Sequence, residues 1–262
     1  MNLPSSISLQ DKVIIQFGGT GLLGRALVKG LASAGATLIV ASRNRSALQS
    51  LADAEQAAGR KVLIEETDIG SEASLHALRD RVLAQHGRID GIVFNAVSRP
   101  MKSIADDLAI WRESMETNAT GFFATCRAFG DAMAKQKSGG SIVNISSIYG
   151  MVGSNPSLYE GTAMTTSPDY FFHKGGMVNL TRWLASHYGP QKVRVNVVSP
   201  GGIYNPEKPQ DKTFIERYNK VTMLGRMCLP EEVGGAVIFL LSDASGYITG
   251  ANLPVDGGHT AK

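Results

Sequence analysis

KVIIQFGGTGLLGRALVKGLASAG (residues 12–35) sets an apolar run, a glycine-rich turn and a helically spaced stretch in direct succession. KVIIQF (12–17) reads as a strand, and GRALVKGLASAG (24–35) reads as a helix. The turn between them holds Gly18, Gly21 and Gly24, three residues apart, together with Thr20, Leu22 and Leu23. Glycines at such a corner permit a tight turn and let backbone approach a pyrophosphate at the helix N-terminus. In a chain with 29 glycines the spacing alone carries little. Directly after a first strand and before a helix, it points to dinucleotide binding by Gly18, Thr20, Gly21, Leu22, Leu23 and Gly24.

The same alternation continues outward. TLIVAS (37–42), KVLIEETD (61–68), GIVFNA (91–96), SIVNIS (141–146) and VRVNVVSP (193–200) are short apolar runs separated by helix-length segments. This pattern predicts βαβ units, hence an α/β fold with a doubly wound parallel sheet and helices on both faces. No repeat, low-complexity tract or linker divides the 262 residues, so one domain over 1–262 is expected. The formal charge of +3 and the lack of a Lys/Arg block argue against nucleic acid. Cys126 and Cys228 stand alone and far apart, which excludes a disulfide framework or metal-ligand spacing and favours a reducing compartment. MNLPSSISLQDK (1–12) lacks a basic start followed by an apolar run, and no apolar stretch reaches membrane-spanning length. A cytoplasmic location is the expectation.

The second strand ends in ASRNRS (41–46), where a carboxylate would meet the ribose hydroxyls of NAD. Ser42 and Arg43 stand there instead, and a guanidinium suits a 2′-phosphate. NADP(H) is therefore expected to be preferred, with NAD(H) as the alternative cofactor.

SSIYGMVGSNPSLYEGTAMTTSPDYFFHK (146–174) collects Ser, Tyr and Lys, which together can move a proton to or from an alcohol. Tyrosine is a poor base at its usual pKa of about 10, and bringing it near neutrality needs roughly 4 kcal/mol. A lysine ammonium about 4 Å away supplies energy of that order at an effective dielectric of about 20. Residues i and i+4 on a helix are neighbours. Tyr170/Lys174, Tyr188/Lys192 and Tyr204/Lys208 have that spacing, but Pro190 and Pro206 interrupt the last two. Ser167-Pro168-Asp169 reads as a serine N-cap, a proline at the first helical position and an acid in the first turn. Tyr159 and Tyr149 have no lysine at +4.

These residues, in this order, resemble the short-chain dehydrogenase/reductase family over about residues 10–259. The resemblance implies a single-domain Rossmann fold and hydride transfer between a nicotinamide and a secondary alcohol or ketone. NISS (144–147) matches the family's serine segment and METNATGFF (115–123) its asparagine segment. The implied catalytic set is Asn118, Ser147, Tyr170 and Lys174. In it Tyr170 is the acid/base, Lys174 lowers its pKa and holds the ribose, Ser147 bonds the substrate oxygen, and Asn118 anchors a water. Further cofactor contacts implied are Asp68 and Ile69 at the adenine side, Asn95 and Ala96 beside the cofactor, and Pro200, Gly201 and Ile203 at the nicotinamide. The resemblance also implies a homotetramer built on helices near 105–135 and 168–188, with the strand near 248–255 in a second interface.

The chain departs from the family pattern at Leu22, Phe94, Val97 and Asn205. The spacing of Gly18, Gly21 and Gly24 is similar to that of the larger, sugar-nucleotide-modifying branch. Tyr170 lies 23 residues after Ser147, well beyond the family's usual distance, which implies an insertion within 148–169. The wording of the insertion resembles oxidoreductases of flagellin glycosylation, which points to a sugar or other polar carbohydrate. Tyr159 is expected on this insertion, over the substrate, with Gly161, Thr162, Thr165 and Thr166 offering polar contacts. Competing readings are a 3-oxoacyl-thioester reductase, an epimerase or dehydratase with bound nicotinamide, and a non-catalytic cofactor-sensing regulator. The expected partners are a small-molecule carbonyl or alcohol and further copies of the chain, with no nucleic acid, membrane or metal.

Overall fold

The computed structural model describes residues 6–261; the first five residues of the N-terminal stretch read above, and Lys262, lie outside them. Seven strands form one parallel sheet in the order β3-β2-β1-β4-β5-β6-β7. They are β1 (Val13–Phe17), β2 (Thr37–Ser42), β3 (Val62–Glu66), β4 (Gly91–Phe94), β5 (Gly140–Ile145), β6 (Val193–Pro200) and β7 (Asn252–Val255). The helices are α1 (Leu22–Ser33), α2 (Arg45–Ala57), α3 (Glu72–His86), α4 (Leu108–Met115), α5 (Gly121–Ala134), α6 (Pro168–Tyr188), α7 (Lys212–Val221) and α8 (Pro230–Leu241).

Successive strand residues point to opposite faces, so the central strands feed two cores. Ile15 and Phe17 of β1 join α3, α5 and α6 through Leu75, Phe122, Phe129 and Leu184. Ile14, the residue before Ile15, joins α1, α2 and α8 through Leu27, Leu48 and Val237. Burying each such side chain contributes about 2 kcal/mol. The continuous apolar runs in the sequence have this cause: both faces of the sheet are covered.

Four local features differ from the sequence reading. First, α1 starts two residues earlier than the helical spacing suggests, at Leu22. Second, the helix expected across METNATGFF is broken by a π-helical turn, Glu116–Thr120, between α4 and α5. Such turns insert one residue into the helical ladder and often mark functional sites. Third, Ser167 occupies the N-cap of α6, yet its hydroxyl makes no cap bond. Pro168 sets the first turn instead, its fixed φ suiting that position. Fourth, Phe94 is a core residue at 1% exposure, packed on Phe122 with ring centroids 5.1 Å apart. It fills space rather than offering a polar contact.

The insertion between β5 and α6 has its own small core. Two 3-10 turns, Ile148–Gly150 and Pro156–Leu158, shape it. Leu158 is buried against Phe214 and Tyr218 of α7 and against Met227. The segment 203–210 before α7 is tied to itself: the Gln210 amide donates to Ile203 O (2.6 Å), and Glu207 N donates to Asn205 Oδ1 (3.1 Å). Insertion and segment together roof the carboxyl ends of β5 and β6. No helix among the described residues is long and apolar enough to cross a membrane.

Candidate active site

Strand order reverses between β1 and β4, and in open α/β sheets ligands bind in the crevice outside such a point. A cavity of about 970 Å³ opens there. Its floor is the turn after β1. Gly18 has φ +83°, and a Cβ on it would lie 2.7 Å from Ala96 backbone. A Cβ on Gly24 would lie 2.5 Å from Gly18 O. These two glycines let turn, helix and the segment after β4 close on one another, and the Asn95 amide seals the junction by donating to Gly18 O (2.7 Å). Gly21 is different: a Cβ there meets nothing within 4 Å. Its open side belongs to the cavity wall, as do Thr20, Leu22, Leu23, Asn95 and Ala96. Bare backbone at a helix N-terminus fits a pyrophosphate, so the residues present suit a dinucleotide.

Ser42 and Arg43 line the same cavity, and among the described residues no Asp or Glu lines it. Ile69 lines the wall, but Asp68 does not. The Asp68 carboxylate accepts from Gly70 N (3.0 Å), and its own N donates to Ser74 Oγ (3.1 Å). It therefore serves the turn leading into α3 rather than facing the cavity. Pro200, Gly201 and Ile203 form the wall at the end of β6.

Opposite the glycine turn, α6 presents Tyr170 and Lys174 one turn apart, with the lysine nitrogen 5.6 Å from the phenol ring centroid. Lys174 is 4% exposed, and its Nζ donates to Ile145 O at the end of β5 (2.6 Å). Burial, with a lesser push from the Arg99 charge, lowers its pKa to about 7. Ser147 caps the first 3-10 turn, its Oγ accepting from Tyr149 N (3.2 Å), while Ser146 Oγ donates to Lys174 O (2.9 Å). Ser146 thus ties the end of β5 to α6, and Ser147, Tyr170 and Lys174 share the cavity wall with the glycine turn.

Asn118 is in the π-helical turn, 2% exposed, and is not part of that wall. Its Oδ1 accepts from Ser98 N (2.9 Å), and its Nδ2 donates to Ser98 O (2.8 Å) and Ser114 Oγ (3.0 Å). The side-chain amide is thus held by protein atoms. It fixes the segment after β4 against the turn.

The family described as enoyl-(acyl carrier protein) reductase matches residues 21–260. The cis-4-hydroxycyclohexanecarboxylate dehydrogenase of Sinomonas cyclohexanicum is 35% identical, over 96% of this chain and 97% of its own. The chain belongs to the short-chain dehydrogenase/reductase family. The post-translational flagellin modification protein A of Campylobacter coli is 32% identical, over 95% of this chain and 98% of its own. The crystal structure of a gluconate 5-dehydrogenase from Burkholderia cenocepacia J2315, in complex with NADP and tartrate, superposes with a TM-score of 0.86 at 27% identity, covering 98% of each chain. This short-chain dehydrogenase/reductase is an oxidoreductase of the class acting on CH–OH donors.

Within this short-chain dehydrogenase/reductase the insertion reaches the cavity. Tyr159, Thr165, Thr166 and Ser167 line it, whereas Gly161 and Thr162 do not. The Tyr159 hydroxyl is hydrogen-bonded to that of Tyr149. Burial is the first cause that raises both phenols above their ordinary pKa. Tyr149 also stands edge-on to Tyr170, with centroids 6.5 Å apart. Tyr149 escapes sequence reasoning because its role depends on how the insertion folds back. Arg99 escapes it too: it sits in an irregular segment, yet its guanidinium lies 4.6 Å from the Tyr170 ring centroid. Only the unassigned basic residues soon after β4 could have signalled it. His173, the residue before Lys174, is buried at 3% and stacked edge-on to Tyr170 at 5.3 Å. Burial lowers its pKa to about 3, so it stays neutral.

Proposed function

We propose that the protein, as one domain over 1–262, uses NADP(H) in preference to NAD(H) to interconvert a secondary alcohol and its ketone on a small polar substrate. The observation that carries this is the shared cavity. A glycine turn and the pair Ser42/Arg43 stand at one end, and Ser147, Tyr170 and Lys174 at the other. The bound nicotinamide supplies the hydride acceptor or donor. The chain handles the proton and the geometry. Tyr170 takes the carbinol proton in oxidation and returns it in reduction. Ser147 holds the same oxygen by a hydrogen bond, and the insertion excludes water above it. The Lys174 ammonium, fixed by Ile145 O, stabilises the phenolate, and that anion in turn favours the charged lysine in a site that burial makes unfavourable for it. Asn118 acts as a positioning residue for the wall. The relatives' names support hydroxylated rings, sugar acids or sugar-like molecules as the substrate class. We further propose a homotetramer in the cytoplasm.

Fluorescence titration with NADPH and NADH, followed by an alcohol and carbonyl panel read by nicotinamide absorbance, tests the reading. NADPH should bind more tightly, and Arg43→Ala should weaken NADPH selectively. Equal affinities, or tighter NADH, overturn the preference. A chain that binds neither nucleotide overturns the enzyme reading.

A further inference from the structure

Among the described residues the cavity wall carries five basic side chains, Arg43, Arg99, Lys102, Lys174 and Lys208, and no acidic one. Two of them are accounted for in the reading above: Arg43 beside Ser42, and Lys174 beside Tyr170. Lys102 turns its ammonium back onto Arg99 O (2.8 Å), bracing the segment that carries Arg99. Lys208 belongs to the 203–210 segment, where its backbone N donates to Asn205 Oδ1 (3.3 Å), and Arg99 is the one set against Tyr170. Its guanidinium lies over the Tyr170 ring, and its side chain makes no hydrogen bond or ion pair among the described residues. A guanidinium stacked on a ring keeps its N–H edges free for planar bidentate recognition. Here those edges stand within a small molecule's length of the phenol hydroxyl. The ligand suited to one positive fork is a planar anion with two oxygens, a carboxylate.

We propose that Arg99 is the substrate's carboxylate anchor, selecting secondary alcohols and matching ketones that carry a carboxylate a few carbons from the reacting centre. This rests on Tyr170 being the acid/base. The carboxylate is unchanged by the reaction. In oxidation the carbinol hydrogen would leave carbon with both bonding electrons as a hydride, which an oxidised nicotinamide would accept, while the O–H proton passes to Tyr170 and the C=O bond forms. The anchor fixes which carbon faces the nicotinamide, because it holds the substrate at a second point away from Ser147.

The test compares 3-hydroxybutyrate and 4-hydroxycyclohexanecarboxylate with their primary amides, for wild type, Arg99→Ala and Arg99→Lys. The readout is the ratio of kcat/KM for acid over amide. Any influence of Arg99 on the phenol acts on both members of a pair and cancels from the ratio. Wild type should favour the acids by about 10- to 100-fold, the scale of a charge-assisted hydrogen bond. Arg99→Ala should bring the ratio near one. Arg99→Lys should restore part of it, since it keeps the charge and loses the fork. Calorimetry of cyclohexanecarboxylate and cyclohexanecarboxamide binding to NADP-loaded protein makes the same comparison without turnover. A wild-type preference near one, a ratio unmoved by Arg99→Ala, or better turnover of sn-glycerol 3-phosphate overturns the proposal. Tyr170→Phe separates the two readings. Retained turnover in that variant overturns the acid/base assignment, whereas lost turnover with no acid preference in wild type overturns the anchor alone.

Discussion

Tyr170 and Tyr159 line the same cavity and differ in what stands beside them. Tyr170 has the Lys174 ammonium 5.6 Å and the Arg99 guanidinium 4.6 Å from its ring centroid. Tyr159 has the hydroxyl of another tyrosine and the Phe214 ring. Tyr170→Phe is expected to lower kcat/KM by about 10²- to 10⁴-fold, the usual contribution of a positioned acid/base, with NADPH binding nearly intact. Tyr159→Phe should keep turnover and show its loss as a raised KM, the sign of lost uniform binding. A dead Tyr159→Phe beside an active Tyr170→Phe reverses the assignment. His173 gives a second expectation. Its folded pKa of about 3 lies below the ordinary 6.5, so the unfolded chain takes up the proton first as pH falls. Its contribution to stability is therefore lost as pH falls from about 6.5 to 3. His173→Phe should narrow the drop in Tm between pH 7 and pH 5, and an unchanged or wider drop counts against a neutral buried imidazole. The i, i+4 placement of Tyr170 and Lys174 was legible because a helix alone fixes it. Arg99 and Tyr149 were not, because loop paths bring them to Tyr170 from distant points in the sequence.

At the scale of elements, the strands were legible because a sheet covered on both faces leaves its sequence as unbroken apolar runs. The π-helical turn was not, since nothing in METNATGFF marks where the ladder takes an extra residue. Nor was the burial of Phe94, which follows from its neighbour Phe122 across the α5 face. The glycine turn separates folding from binding in a testable way. Gly18→Ala meets both a left-handed φ of +83° and the Ala96 backbone at 2.7 Å, and should destabilise the protein by about 2 kcal/mol or more. Gly21→Ala meets no protein atom within 4 Å, so its Tm should match wild type while NADPH affinity falls. Thermal melts paired with nucleotide titration distinguish the two. Equal effects on Tm would mean the turn's role is structural throughout.

Across the whole molecule, large apolar side chains are left uncovered on neighbouring helices. Leu108 of α4, Phe123 of α5, and Phe172 and Trp183 of α6 are all exposed, at 66%, 37%, 59% and 57%. Single exposed apolar residues are ordinary, but a group on packed helices marks an interaction face. A homotetramer through these helices should appear in light scattering, and Trp183→Glu with Phe172→Glu should shift it to smaller species. A wild type that stays monomeric at micromolar concentration contradicts this assembly.

The strand order β3-β2-β1-β4-β5-β6-β7 also gives the protein a history during synthesis. β2 joins β1, β3 joins β2, β4 takes the other side of β1, and each later strand extends that growing edge. No strand has to be threaded between two already paired. A nascent chain leaving the ribosome N-terminus first can therefore assemble its sheet strand by strand in the order of translation. Each step leaves one unfinished edge on the side still being made. The three-stranded β3-β2-β1 half should become protease-resistant first, and the cavity should close only when the residues around β6 and α7 have emerged.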